Sequence, residues 1–196
     1  KQPIAVMVMG RPGAGKDTQA ELVAKHVNLM RISTSDVLVA YMDEHAGEPE
    51  VQKERVLFDR GDLMSPSFVL GIVQERVREL AAGNFKGKRG IIFSGSPRTM
   101  FEVEGLYPVL EEIFGQENIF AFYLEIPAEE GIARIQKRNA RELDRGEEKL
   151  RIRMREYTER TEPVLRYLEG RGVLHRVDGT GTIEEIAGRI VEELDQ

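Results

Sequence analysis

The chain has 196 residues, 41% of them apolar and 32% charged, a balance that suits one globular domain with a real core and excludes a disordered tail. Acidic residues number 34 against 28 basic ones, so the formal net charge of −6 is opposite in sign to that of a non-specific nucleic-acid binder. With no cysteine, disulfides, thiolate zinc sites, iron–sulfur clusters and cysteine nucleophiles all drop out together.

Short apolar runs alternate with longer helical patterns along the chain. Residues 4–9 (IAVMVM) form a continuous apolar run, as expected of a strand buried on both faces. Residues 17–29 follow as a helix, with Ala20, Val23, Ala24 and Val27 on one face. Arg31 and Ile32 are too short a run to stand alone but sit where a strand would fit. A helix over 66–80 carries Val69, Ile72, Val73, Val77 and Leu80 at helical spacing. Strands are expected at 91–93, 119–124 and 173–177, with helices over 99–114, 128–140 and 147–168, the last bent or restarted at Pro163. Thr182 opens the final helix as N-cap, with Glu185 three residues on as its capping-box partner. Alternation of this kind implies an α/β fold, a parallel sheet covered on both faces, with ligands at the carboxyl ends of the strands. No apolar run approaches the ~20 residues of a membrane span, and the N-terminus lacks the segments of a signal peptide. The expectation is therefore a cytoplasmic protein with no membrane and no nucleic-acid partner.

Gly10-Arg11-Pro12-Gly13-Ala14-Gly15-Lys16-Asp17-Thr18 follows the first strand and fits G-x-x-x-x-G-K, with the hydroxyl residue one place later than in the commonest form. Glycines let the backbone wrap an anion with several N–H groups pointing inward. The next helix adds the positive end of its dipole. Lys16 can reach β- and γ-phosphates, and Thr18 can position a phosphate or Mg²⁺. Asp17 is out of place among phosphates: it either points outward as a first-turn helix residue favourable to the dipole, which is the reading preferred from sequence, or helps to hold a cation.

Five further stretches join this loop in a pattern that resembles the adenylate kinase (nucleoside monophosphate kinase) family. Residues 10–19 (GRPGAGKDTQ) are similar to its G-x-P-G-x-G-K-G-T-Q, residues 32–38 (ISTSDVL) to I-S-T-G-D-M-L, and residues 60–65 (RGDLMS) to R-G-x-L-V-P. Residues 94–99 (SGSPRT) are similar to D-G-F-P-R-T; 134–138 (RIQKR) with Arg141 and Asp144 resemble the arginines flanking the lid; Arg153 with 157–164 (YTERTEPV) resembles R-L-x-x-Y-x-x-x-T-x-P-V. The resemblance implies a P-loop NTPase-type parallel five-stranded sheet in one kinase domain, with a monophosphate-binding insert at about 33–63 and a short lid at about 138–147. It implies a monomer that takes ATP as co-substrate with Mg²⁺ and a nucleoside monophosphate as acceptor. Gly13, Ala14, Gly15, Lys16, Asp17 and Thr18 would hold the ATP phosphates. Thr34, Asp36, Met64, Gly95, Arg98 and Glu102 would line the monophosphate side. Lys16, Arg98, Arg138, Arg141 and Arg153 would act on the transferring group, and Thr18 and Asp36 would handle the metal, Asp36 through water. The arginines suit the chemistry in their own right, because phosphoryl transfer needs positioning and positive charge more than covalent help, and a guanidinium is a permanent cation with a planar donor fork.

Several positions depart from the family pattern. The Asp that opens D-G-F-P-R, and that orients magnesium-bound water in the family, is Ser94; the following Phe is Ser96; and the arginine three residues after the Asp at position 36 is Val39. Loss of one charge-assisted contact to the acceptor phosphate costs about 1.5–3 kcal/mol. Glu102 stands where the family has an adenine-reading glutamine. As an ionised carboxylate it only accepts hydrogen bonds, which suits guanine or cytosine, whereas adenine offers it one donor and one acceptor. AMP is the first expectation for the acceptor and GMP or CMP the alternative. A catalytically impaired nucleotide-binding module is the rival to an enzyme.

Overall fold

In the computed structural model, which describes residues 2–139 and 147–195 and the side chains of 2–137 and 150–195, every residue of β1 (Ile4–Gly10) is buried. Its odd and even positions feed two different cores. Ala5, Met7 and Met9 join one apolar layer; Ile4, Val6 and Val8 join the other. That two-sided burial follows from the period-two geometry of a strand whose every side chain is apolar. Full burial of each of the isoleucine, valine and methionine side chains contributes about 1.5–3 kcal/mol.

The sheet has the order β2-β3-β1-β4-β5 and every pairing is parallel. Its other strands are β2 (Met30–Ser33), β3 (Gly90–Ser94), β4 (Ile119–Glu125) and β5 (Leu174–Asp178). The pair Arg31-Ile32 is thus the centre of a four-residue strand, held by pairing with β3 rather than by its own hydrophobicity. On one face pack α1 (Lys16–Val27) and α9 (Ile183–Leu194). The other face is covered by α2 (Thr34–Glu44), α4 (Pro66–Ala82), α5 (Met100–Phe114) and α8 (Glu162–Gly170), with α3 (Pro49–Arg60) attached through Val51. This is the five-stranded P-loop-type α/β architecture expected from the sequence.

Helix ends follow local chemistry. Asn28 closes α1 in the left-handed region, Ser33 caps α2 through the Asp36 N–H, and Thr99 caps α5 through the Glu102 N–H. Thr182 and Glu185 form the expected capping box on α9. The helix expected over 147–168 is divided. α7 (Glu147–Glu156) runs into one π-helical turn, Tyr157–Thr161, and α8 restarts with Pro163 in its first turn, where a missing N–H costs little. α6 (Ala128–Asn139) precedes the segment expected as a lid. The side chain of Arg138, Arg141, and most of 138–147 lie outside the described residues.

β1 is flanked by β3 on one side and β4 on the other, so the chain leaves its carboxyl end at the point where connections diverge to opposite sides of the sheet. Crevices form at such points in open parallel sheets. Gly10, Ser33 and Ser94 end their strands on this same edge.

Candidate active site

A cleft of about 1120 Å³ opens at that edge. Its floor is the loop between β1 and α1, and Gly13, Ala14, Gly15, Lys16, Asp17 and Thr18 all line it. Gly13 and Gly15 have φ of +85° and +88°, a region that L side chains rarely adopt, and Gly15 is the N-cap of α1. The left-handed turns aim backbone N–H groups and the helix N-terminus at one point, which makes a nest for an anion. Gly13 has a second constraint that its sequence context does not announce. A Cβ there would stand 2.2 Å from the Gly131 carbonyl oxygen, and a Cβ on Gly131 would stand 2.7 Å from Pro12 O. The loop therefore rests backbone to backbone on the first turns of α6.

The Lys16 ammonium lies over the loop and donates to Arg11 O at 3.1 Å. Burial, helped by the positive charges of Arg98 and Arg153 and opposed by Asp17, lowers its pKa from 10.5 to about 8. Arg98 and Arg153 thus act on Lys16 across one cleft, and both line it. Three cations thus converge on one cleft, a concentration of positive charge that complements a polyphosphate.

Arg98 sits on the turn after β3, with a cis Ser96–Pro97 peptide, and its Nε donates to Gly95 O at 2.5 Å. Both oxygens of the buried Glu102 serve this turn. Oε2 accepts from Arg98 N at 2.9 Å and Ser96 Oγ at 3.1 Å; Oε1 accepts from Thr99 Oγ1 at 3.1 Å. Burial raises the Glu102 pKa, and the hydrogen bonds from Arg98 N–H, Thr99 and Ser96 pull the other way. Glu102 is not among the cleft-lining side chains.

Other residues expected at the site are spread more widely. Gly95 lines the cleft. Thr34 is buried beside it with a hydroxyl that has no partner among the described residues, the kind of group that a bound ligand satisfies. Met64 is buried in the core, and Leu63 and Asp62 face the cleft instead. Asp36 is an exposed first-turn residue of α2 and does not line the cleft. Val39 packs against the core. Arg134 donates to Glu130 and to Gly179 O and so ties α6 to the loop after β5 while edging the cleft. Arg141 lies outside the described residues.

Two contributions escape a reading by motif. Gly131, a glycine inside a helical pattern, signals a close approach without saying to what. Arg31 reaches Asp17 Oδ1 at 3.5 Å, a contact between two elements with nothing in the local sequence to indicate it.

No group of three or more histidine or acidic side chains gathers to hold a metal among the described residues. Around the loop stand hard oxygen donors, the Asp17 carboxylate and the Thr18 and Ser94 hydroxyls, a set that fits Mg²⁺ retaining much of its water. No helix among the described residues is long and apolar enough to cross a membrane.

A family model described as adenylate kinase matches residues 8–173 of the chain. An adenylate kinase of Thermus thermophilus is 37% identical over 188 residues, covering 95% of this chain and 94% of that protein. The adenylate kinase of a Synechococcus species is 34% identical over 189 residues, covering 96% and 97%. That of Leptospira biflexa is 31% identical over 191 residues, covering 96% and 98%.

Proposed function

The chain belongs to the adenylate kinase family, a family of nucleoside monophosphate kinases, and from that premise we propose that it moves the γ-phosphoryl of ATP to AMP, giving two ADP. The observation that carries the reading is the meeting of Lys16, Arg98 and Arg153 over one glycine-lined cleft. The loop amides and Lys16 hold the ATP phosphates. Arg98 grips the acceptor phosphate, while Arg153, with Arg138 and Arg141 from outside the described side chains, takes up charge on the transferring group. Gly95 and the Thr34 hydroxyl complete the monophosphate side. No general base is required, since the acceptor phosphate oxygen is already a nucleophile and the barrier is lowered by alignment and charge. When bound with ATP, Mg²⁺ neutralises part of the phosphate charge. Closure of the monophosphate-binding insert at about 33–63 over the nucleotides excludes water, which suppresses hydrolysis of ATP, and the lid expected at about 138–147 lies largely outside the described residues. The working unit is a cytoplasmic monomer.

Guanine or cytosine would be favoured if Glu102 offered its carboxylate to the base. Both of its oxygens are instead taken by Ser96, Arg98 N–H and Thr99, which removes the reason to rank GMP or CMP above AMP. A cleft with the phosphate loop and with Lys16, Arg98 and Arg153 along its lining gives no support to an impaired binding module. A coupled assay of ADP formation with AMP, GMP, CMP and UMP tests the reading. AMP is expected to give the highest kcat/KM; turnover on no monophosphate would overturn it.

A further inference from the structure

Asp17 is the side chain that the phosphate-loop chemistry leaves unexplained. It lies between Lys16 and Thr18, lines the cleft, and sits where a carboxylate repels a polyphosphate. Yet it is held there. Ser94 Oγ, at the carboxyl end of β3, donates to Asp17 Oδ1 at 2.7 Å, and Arg31 of β2 approaches the same oxygen at 3.5 Å. Ser94 is buried, so the anchoring hydroxyl is fixed by the sheet, whereas the Asp17 side chain is 72% exposed. Both anchors engage Oδ1. Oδ2 has no partner among the described residues and is left to the solvent of the cleft.

The two positions also differ from the pattern the chain resembles in a reciprocal way. G-K-G-T and D-G-F-P-R place glycine after the lysine and a carboxylate at the strand end. This chain has Asp17 and Ser94, and a hydrogen bond joins them. A carboxylate at both positions would set two like charges within hydrogen-bonding distance. A carboxylate at either one serves the same small volume beside the loop. Its presence next to bound phosphates is favourable only with a cation between them.

We infer that Asp17, held in place by Ser94 and Arg31, is the carboxylate that orients the hydrated divalent cation of the ATP complex, the task the sequence assigns to Asp36. Ser94 is then a positioning residue that acts through Asp17. The inference rests on the kinase reading above, since it presupposes that ATP lies along residues 10–18.

The test is the coupling between Mg²⁺ and ATP in binding, measured by calorimetry on the full chain without acceptor, once with excess Mg²⁺ and once with EDTA. Asp17→Asn keeps the shape of the side chain and an oxygen for Ser94. Its expected effect is tighter binding of metal-free ATP than in the wild type, together with a fall in the Mg²⁺ advantage of about tenfold. The electron spin resonance line of Mn²⁺ bound with ATP should change in the same variant, a readout independent of turnover. Adding Ser94→Asp to Asp17→Gly should restore most of the coupling that Asp17→Gly loses. An unaltered Mg²⁺ advantage in Asp17→Asn, with ATP still bound, would overturn this inference alone and leave the kinase reading standing. Wild-type protein that binds ATP in neither condition would overturn both.

Discussion

Ser96 and Glu102 are joined by a buried hydrogen bond of 3.1 Å from the serine hydroxyl to Glu102 Oε2, across the turn that carries Arg98. The same oxygen takes the Arg98 N–H, and its twin takes Thr99 Oγ1. Two departures from the family pattern, serine for phenylalanine and glutamate for glutamine, are thus one arrangement. The hydroxyl supplies a donor where a carboxylate supplies acceptors, and the turn is fastened from beneath.

Glu102→Gln leaves one acceptor oxygen for three donors. Unfolding in urea is expected to show a loss of about 1–3 kcal/mol, the usual cost of a buried donor left without a partner. Glu102→Ala should lose more. The ranking of AMP, GMP and CMP as acceptors should not move in Glu102→Gln; a shift of preference toward AMP would mean that the side chain contacts the base after all.

The Lys16 ammonium binds phosphate only while protonated, and its pKa in the free protein is about 8. kcat/KM for ATP reports the free enzyme, so it should be level below pH 8 and fall above it, approaching about tenfold per pH unit. Bound phosphates favour the charged ammonium, so kcat should hold to higher pH. Profiles of both parameters between pH 6 and about 10 check this. A kcat/KM that stays level up to the ordinary lysine pKa would contradict the depressed value.

Gly131→Ala puts a methyl group 2.7 Å from Pro12 O, a backbone atom that cannot yield without moving the loop. We expect a stability loss of about 1–3 kcal/mol and weaker ATP binding by calorimetry, although residue 131 contributes no side chain to the cleft. Gly13→Ala should be worse, since it adds an unfavourable positive φ to a 2.2 Å clash. Ala at Gly188, where a Cβ meets nothing, is the control.

Arg98→Ala and Arg153→Ala should separate the two sides of the cleft. Each removes a cation that serves the transition state, worth about 100-fold or more in rate. For Arg98→Ala the loss should fall on kcat/KM for the monophosphate, with the Kd of ATP changing far less. For Arg153→Ala it should fall on kcat. Equal loss of ATP affinity in both variants would show that they do not divide the work in this way.

Much of this molecule is readable along the chain. The unbroken apolar run at residues 4–9 points to a strand buried on both faces, and a glycine-rich turn with a lysine between that strand and a helix points to an anion nest, because local sterics and burial govern both. The capping box at Thr182 and Glu185 is likewise a matter of four consecutive residues. What the tertiary structure decided are the pairings between distant positions. Along the sequence, Asp17 reads as a first-turn residue pointing to solvent; only the parallel register that brings the end of β3 beside the start of α1 gives it Ser94. Glu102 looks free to meet a base until the turn folds back on it. Gly131 acquires its meaning from a loop more than a hundred residues earlier. Hydrogen bonds and steric exclusion act over a few ångströms of space, and the order of the strands sets which residues share those ångströms.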